Sequence, residues 1–286
     1  LWERLTPAFR QSLGGAGALA EIGEGVRDSF GEETGMRGER VDRVGRAPLY
    51  QRLAAHERGV LLTQMAFDGE QNVSGFVVRA APEAAPSQFE DYRTKAELRL
   101  PFDGEWTVYW GGRDVLSNYH VVDPAQRYAA DFVVMRDGAS HAGDGARPQD
   151  YHCWGEPILA PADALVARVV ADLPDQQIGA TDTDNPAGNH VVLDLGSDEY
   201  LFLAHLQQGS IEVAEGDAVL AGAQIARCGN SGNSSEPHLH VHMQTTADLA
   251  AGEGLPAAFS GYVADGARVQ LGEPLRGQAV KPADGQ

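Results

Sequence analysis

Residues 227–243 read RCGNSGNSSEPHLHVHM and contain the most informative pattern in the chain. After Pro237, histidines alternate with apolar residues, which is typical of a β-strand because successive side chains point to opposite faces. One face would present His238, His240 and His242. The other face would enter the core with Leu239, Val241 and Met243. Three imidazoles on one face indicate either a polar strand in solvent or a metal site, because neutral imidazole is a common zinc ligand.

The surrounding sequence predicts a β-rich domain. From residue 98 onward, short apolar segments recur between turn signals such as Asp137-Gly138 and Gly216-Asp217. Many short strands with regular turns are typical of an all-β, antiparallel fold. Eight of the nine histidines lie between residues 120 and 242. The candidate chemistry is therefore concentrated in this part of the chain.

The first 80 residues have a different pattern. Apolar residues recur every three or four positions at Trp2, Leu5, Phe9 and Leu13. This stripe predicts an amphipathic helix that ends at Gly14, and a second helix is predicted up to Phe30. Two apolar runs joined by Asp68-Gly69 then predict a β-hairpin. We expect a small α+β domain at 1–80, a polar linker at 81–97, and a mainly-β domain with a C-terminal extension at 98–286.

Composition and charge exclude several classes of protein. The chain has 286 residues, 43% of them hydrophobic, which is enough for one or two globular domains. It contains 22 Lys and Arg against 41 Asp and Glu, a net charge of −19. We expect no nucleic-acid partner, because an acidic chain lacks the basic footprint that binds phosphates. No run of about 18 apolar residues is present in the sequence, so we expect no membrane span in this chain.

Residues 227–240 closely resemble the GN(S/T)GNS(S/T)xPHxH motif of the M23 zinc peptidases, the lysostaphin and LytM type of cell-wall endopeptidases. Three more segments resemble family motifs in the family's order: APADALV at 160–166, YLFLAHL at 200–206 and GDAVLAGAQI at 216–225. Ala164 stands where the family usually has Gly. The resemblance covers residues from about 98 to 245 and implies a lysostaphin-like catalytic domain there.

The resemblance implies one Zn²⁺ ion, bound by a histidine, an aspartate and the second histidine of the H-x-H pair. In this chain that set is His120, Asp131 and His240, with one position open for water as in catalytic zinc sites. Asp123 is an alternative to Asp131, because the family's three-residue spacing between His and Asp fits neither. We prefer Asp131 because the strand-like residues 132–134 follow it.

The resemblance also implies roles for other polar residues. His205 and His238 would be the catalytic histidines that stabilise the transition state, while a zinc-activated water is the nucleophile. Asn118 and Asn189 are expected to bind substrate. We expect His242 to be exposed, and a contact with the zinc ligands remains the alternative.

The implied function is a zinc-dependent metalloendopeptidase that hydrolyses peptide cross-links of bacterial peptidoglycan, most simply next to D-alanine. We expect a periplasmic or secreted protein, because the substrate lies outside the cytoplasm, and any signal peptide is absent from the chain as given. Two alternatives remain: a non-catalytic relative that binds the wall or activates another hydrolase, and another metal-dependent β-barrel enzyme such as a cupin. The complete ligand set favours an enzyme, and a cupin would not need the glycine-rich run.

Two features stay outside this resemblance. Residues 1–80 are similar to small cystatin- or NTF2-like domains, and we expect this part either to bind a partner or to occlude the active site. Cys153 and Cys228 are the only cysteines, and both lie beside predicted turns. A disulfide between them is therefore a hypothesis.

Overall fold

The structure is a computed structural model that describes residues 1–44 and 47–283. The chain forms two compact units, residues 1–83 and the residues from 84 onward. The predicted domain limits and the linker at 81–97 stay predictions, because a compact unit is not by itself an independently folding domain.

The first unit combines two short helices with an antiparallel sheet of strand order β1-β2-β3-β4. Its elements are α1 Pro7–Leu13, α2 Gly17–Phe30, β1 Glu33–Val44, β2 Ala47–His56, β3 Gly59–Phe67 and β4 Val73–Ala80. The predicted hairpin at Asp68-Gly69 joins β3 to β4. The first predicted helix is divided: residues Trp2–Arg4 form a single 3₁₀ turn, and α1 begins only at Pro7. Proline has no N–H to donate, so it is favoured at the first position of a helix.

The second unit is built on one large antiparallel sheet. Its strands are β5 Trp106–Trp110, β6 Ala130–Val133, β8 Ala164–Val170, β9 Asn189–Asp194, β10 Tyr200–Leu206, β11 Ala218–Val219, β13 Leu239–Gln244, β14 Gly254–Leu255, β15 Phe259–Ala264, β16 Ala267–Gly272 and β17 Ala279–Pro282. A separate pair consists of β7 Pro157–Leu159 and β12 Gln224–Arg227. The α+β character of the first part and the mainly-β, antiparallel character of the second are confirmed.

Strand β13 lies in the middle of the large sheet and determines where the histidines go. It pairs with β10 on one side and with β6 on the other, so that His240 lies opposite both Ala204 and Asp131. Its apolar side chains enter the core as predicted, since Leu239, Val241 and Met243 are buried. The opposite face is also covered, and His242 is only 1% exposed. The expectation that His242 is exposed was therefore wrong, because other residues of this unit cover the histidine face.

Neither α1 nor α2 meets the length and hydropathy of a membrane-spanning helix, and the described residues contain no other α-helix.

Candidate metal centre

Three side chains from distant parts of the sequence meet on the histidine face of β13. His120, Asp131 and His240 are all buried, and one ligand atom from each lies within 4.8 Å of the others. His240 Nδ1 is 2.9 Å from Asp131 Oδ1, and His120 Nε2 is 3.7 Å from Asp131 Oδ2. Tetrahedral zinc with bonds of about 2.1 Å separates its ligand atoms by about 3.4 Å. Two imidazoles and a carboxylate at these distances therefore fit a divalent zinc ion with one position left open.

Sheet register and a short turn bring the three ligand atoms together. Asp131 lies on β6 and faces His240 directly across the ladder. His120 comes from the 3₁₀ turn Tyr119–Val122 between β5 and β6. The side-chain oxygen of Asn118 caps this turn and also lies 2.9 Å from His120 Nδ1. That hydrogen bond places the proton on Nδ1. His120 Nε2 is therefore unprotonated, and its lone pair is available to a metal ion shared with Asp131.

Asp123, the alternative to Asp131, has a different role. Its Oδ1 accepts a hydrogen bond of 2.9 Å from the backbone N–H of Ala125, and Oδ2 lies beside Gln126. Asp131 is 3% exposed and contacts the histidines, whereas Asp123 caps a turn on the rim of the cleft. The structure therefore groups Asp131, and not Asp123, with His120 and His240.

His205 and His238 form a second pair beside this set. Their ring centroids are 4.6 Å apart, and His238 Nε2 lies 3.8 Å from Asp131 Oδ1. His205 Nδ1 donates to the backbone carbonyl of Ser231 at 2.9 Å, and His238 Nδ1 donates to that of Glu236 at 2.9 Å. In both rings this leaves Nε2 as the free nitrogen. His238 Nε2 is buried and has no hydrogen-bond partner among the described residues, which makes it a group that awaits a ligand or substrate.

The glycine-rich loop 229–237 positions this pair through its backbone. Gly232 has a φ of +81°, and a Cβ there would lie 2.6 Å from Gly188 Cα and 2.7 Å from the Asn185 carbonyl oxygen. Only glycine allows this approach. Between the glycines, the Ser231 carbonyl accepts from His205. The spacing of the glycines in the motif is thus explained by backbone contacts and not by direct binding.

His205 itself has an unusual backbone conformation. Its φ is +59°, in the left-handed region that non-glycine residues seldom adopt. The pairing of β10 with β9 is irregular between Leu203 and Leu206, and the His205 N–H instead binds the Ala187 carbonyl at 3.0 Å. Strained backbone of this kind is concentrated at functional sites, where it aims a side chain.

Burial and neighbouring charges keep the site in its metal-binding protonation state. Burial lowers the pKa of His120 to about 3, and the attraction of the Asp131 carboxylate opposes this only in part. Burial also holds the pKa of His205 well below its ordinary value. For Asp131, burial raises the pKa, but the histidines around it outweigh burial and the pKa is lowered. At neutral pH His120 is therefore neutral and Asp131 is charged, which are the forms that bind metal.

His242 contacts His240, which is the alternative to exposure that the sequence left open. Its Nδ1 lies 2.9 Å from His240 Nε2, and its ring stacks on Phe202 at 4.4 Å. Gln244 lies two residues further along the same face, and its amide nitrogen donates to the carbonyls of Thr246 and Asp248 at 2.9 and 2.7 Å. Gln244 Oε1 and His242 Nε2 are both buried and have no hydrogen-bond partner among the described residues. The alternation of His240, His242 and Gln244 along one strand was the available signal for this line of contacts.

Asn118 and Asn189 are both fully buried. Asn118 Nδ2 donates to the carbonyls of Gly112 and Ala129, each at 2.9 Å. The side chain of Asn189 exchanges two hydrogen bonds of 2.8 Å with the backbone of Leu173. These contacts favour positioning roles for the two asparagines over the substrate contacts expected from the sequence.

The two cysteines are buried free thiols. Cys153 Sγ donates to the Pro237 carbonyl at 3.0 Å, directly before His238. Burial raises the pKa of Cys228, and a hydrogen bond with Cys153 raises it further. The structure thus places two thiols in contact where a disulfide was hypothesised.

A cleft with two arms adjoins the metal centre, and each arm is lined by some of its residues. One arm, of about 320 Å³, is lined by His120, His205 and His240 together with Val122, Pro186 and Leu249. The other arm, of about 420 Å³, is lined by Asp131 and His238 together with aromatic residues and Glu236. Tyr119 and Asn233 line both arms. An extended chain that passes from one arm to the other would cross the histidine cluster.

Residues 149–252 match the family model described as Peptidase family M23. The matched segment contains His205, His238 and His240 but begins after His120 and Asp131. The sequence match therefore supports the H-x-H end of the site, and the structure alone brings in the other two residues. No curated protein matches this chain.

The chain is similar to several solved structures. One is the catalytic domain of a mutant of the prophage-encoded M23 protein EnpA from Enterococcus faecalis, at 19% identity over 56% of this chain and 94% of that one, with a TM-score of 0.35. The catalytic domain of lysostaphin from Staphylococcus simulans has 16% identity over 53% and 88% of the two chains, with a TM-score of 0.31. A zinc containing peptidase from Vibrio cholerae has 17% identity over 80% and 60%, with a TM-score of 0.31.

Proposed function

We propose that the protein is a zinc-dependent endopeptidase that hydrolyses peptide cross-links of bacterial peptidoglycan, and the match of residues 149–252 to the model of peptidase family M23 supports this. The observation that supports this proposal best is the buried set of His120, Asp131 and His240, which lies next to two imidazoles with free Nε2 atoms. A structural zinc site is usually closed by four protein ligands, whereas a set of three leaves a position open for chemistry.

One zinc ion would be held by His120 Nε2, Asp131 and His240 Nδ1. When bound, zinc polarises a carbonyl as a Lewis acid and lowers the pKa of a water to near 7. Asn118 orients His120, and His242 orients His240. Such outer partners fix the tautomer of a ligating histidine and keep its ring in place.

His205 and His238 would handle protons and the developing negative charge. Each ring donates from Nδ1 to a backbone carbonyl, so that Nε2 can accept a proton or, once protonated, donate one. An Nε2–H directed at the scissile carbonyl oxygen stabilises the oxyanion that forms when the carbonyl carbon becomes tetrahedral. The sequence contains no H-E-x-x-H motif that would supply a glutamate base. The histidine pair is therefore assigned both roles.

The open cleft supports cleavage within a chain. Its two arms share Tyr119 and Asn233, and one arm is lined by His205 while the other is lined by His238. An endopeptidase needs such room on both sides of the scissile bond, whereas an enzyme that removes terminal residues needs one closed end. We infer a periplasmic or extracellular location from the substrate, and cleavage next to D-alanine as the simplest reaction.

Digestion of purified cross-linked peptidoglycan, with and without a zinc chelator, tests the proposal. We expect chelator-sensitive loss of cross-linked muropeptide dimers with matching new monomers, read by mass spectrometry, and the masses identify the bond. Unchanged muropeptides, from protein shown to hold one zinc ion, would contradict the proposal and favour the non-catalytic alternative.

For residues 1–83 we keep two proposed roles, occlusion of the site and binding of a partner. A chain that begins at Ala84 distinguishes them in the same assay. If the shortened chain is more active than the full chain, residues 1–83 occlude the site. If the two chains are equally active, occlusion is contradicted and partner binding is the role that we keep.

A further inference from the structure

The cleft arm on the Glu236 side of the metal centre has a chemical character of its own. This arm has a volume of about 420 Å³ and lies entirely within the second unit. Its lining consists of Tyr109, Trp110, Tyr119, Asp131, Val133, Thr181, Asn233, Ser235, Glu236 and His238. Two carboxylates and three aromatic rings stand in this set, with no lysine or arginine among the described lining residues. Asp131 belongs to the metal centre, so Glu236 is the carboxylate left for substrate.

Glu236 is held in place from two directions. Its backbone carbonyl accepts hydrogen bonds from His238 Nδ1 and Ser234 Oγ, each at 2.9 Å. Its side chain accepts a hydrogen bond from the Tyr151 phenol, whose pKa rises to about 12 through burial and this carboxylate. The Tyr151 phenol is a neutral donor, so this hydrogen bond does not neutralise the negative charge of Glu236. The carboxylate is half-buried, so a charge in the cleft would be screened less than at an open surface.

The lining of this arm also contains three aromatic rings. Tyr109, Trp110 and Tyr119 follow one another edge to face, with ring centroids 5.8 and 5.2 Å apart. Tyr109 and Tyr119 are 46% and 53% exposed, which is unusual for large rings. Arg276 already stacks on Trp110, with its guanidinium carbon 3.8 Å from the ring centroid. Aromatic rings and a carboxylate in one cleft arm suit an aliphatic chain that ends in an ammonium group. The aliphatic part packs on the rings, and the ammonium group interacts with the carboxylate and with the ring faces.

We propose that the Glu236 arm is a subsite for a primary amine of the substrate, of the kind carried by a diamino-acid side chain in a peptide stem. The proposal rests on the proposed function, since it assigns the substrate group that lies beside the scissile bond. Such a subsite favours the cationic groups of a wall peptide and disfavours its carboxylates. Glu236 is a specificity-determining residue that acts on binding and not on the chemical step.

The first experiment compares soluble cross-linked peptidoglycan peptides with the same peptides after N-acetylation of their free amines. We expect the unmodified protein to cleave the amine form with about tenfold higher kcat/KM, the size of one partly screened charge contact. Glu236→Gln removes this preference and lowers kcat/KM on the amine form alone. Glu105→Gln is the matched control, because Glu105 is exposed at the other end of β5 from Trp110.

A second measurement does not depend on catalysis. Nα-acetyl-lysine amide and its Nε-acetylated form are titrated separately into the protein, and the indole N–H resonance of Trp110 is followed by NMR. We expect only the free amine to shift that resonance, and Glu236→Gln to abolish the shift. If the free amine binds but neither peptide is cleaved, the proposed peptidase function is overturned and the proposed amine subsite stands. Equal binding of both forms, or equal loss of activity on both substrates in Glu236→Gln, would overturn the amine subsite and leave the peptidase standing.

Discussion

The metal-facing histidines and the cleft-facing histidines are held by different kinds of contact. In each metal-facing ring, the nitrogen that is not used as a ligand is hydrogen-bonded to a side chain. His120 Nδ1 contacts Asn118, and His240 Nε2 contacts His242. His205 and His238 instead donate to backbone carbonyls of the loop 229–237. The four rings that face the metal centre or the cleft are thus held by two kinds of contact, side-chain partners for one pair and backbone carbonyls for the other.

This difference determines how each half can be changed. A side-chain partner can be removed by one substitution, and the ring that it held then rotates. A backbone carbonyl cannot be removed, so the cleft-facing pair is displaced only when the path of the loop changes. We therefore expect metal affinity to respond to polar side chains near β13, and the positions of the cleft-facing pair to respond to substitution of the loop glycines.

The largest effect should come from the ligand set itself. Asp131→Ala leaves His120 and His240 without the carboxylate between them, and we expect zinc affinity to fall on the order of 10⁴-fold, beyond the 10–100-fold caused by losing an outer partner. Activity should be lost with the metal. Titration against a chromogenic chelator measures the affinity. Asp123→Ala is the control, and it should retain one zinc ion, because Asp123 caps a turn. Equal zinc loss in the two variants would contradict the assignment of Asp131.

A smaller effect, confined to chemistry, is expected from the cleft-facing pair. His238→Gln removes the unpartnered Nε2 without removing a ligand atom. We expect zinc content to stay at one ion and kcat/KM to fall by about 10²–10⁴-fold, the usual contribution of a positioned acid or base. His152→Gln, on a half-buried ring outside the cleft, should leave both unchanged. Zinc loss in His238→Gln would place this ring among the ligands and remove the distinction between the two halves.

The same distinction explains which part of the site the sequence could predict. Positions of His205, His238 and His240 follow from local segments, in which a strand period and a glycine-rich run are visible within a few residues. The pairing of Asp131 with His240 depends on the register of β6 against β13, between residues 109 positions apart. No local pattern fixes a register over that distance. The sequence therefore left Asp123 open, and the structure was needed to choose.

The remaining differences arise from burial that no single segment reveals. His242 was expected to be exposed because alternate residues of a strand often face solvent, yet the histidine face of β13 is covered. Asn118 and Asn189 were expected to contact substrate, and this expectation stays a prediction. Both side chains are fully buried, and their amides are hydrogen-bonded to the backbone. Burial of this kind depends on distant parts of the chain, so the sequence around each asparagine could not reveal it.

A substitution in the loop tests whether the backbone holds the catalytic pair. Gly232→Ala introduces a Cβ at 2.6 Å from Gly188 Cα, at a φ of +81°. We expect unfolding to become easier by about 2–4 kcal/mol, from left-handed strain plus the clash. The displaced Ser231 carbonyl should also release His205. Gly138→Ala has the same φ of +81° with nothing within 4 Å, so it reports strain alone, at about 1 kcal/mol. Urea unfolding of both variants separates the two contributions, and equal values would show that the close approach is unimportant.

The smallest effect expected is on the support of one ligand. Asn118→Ala removes the acceptor of His120 Nδ1, and we expect zinc affinity to fall by about 10–100-fold with zinc still bound at saturation. Asn189→Ala is a stringent control: Asn189 is equally buried and hydrogen-bonded, but its amide holds Leu173 and contacts no ligand. Both variants lose buried hydrogen bonds and should lose stability, yet only Asn118→Ala should shift the chelator titration. If both shift it equally, zinc affinity follows the general stability of the unit, and the side-chain contacts of the ligating histidines do not control it.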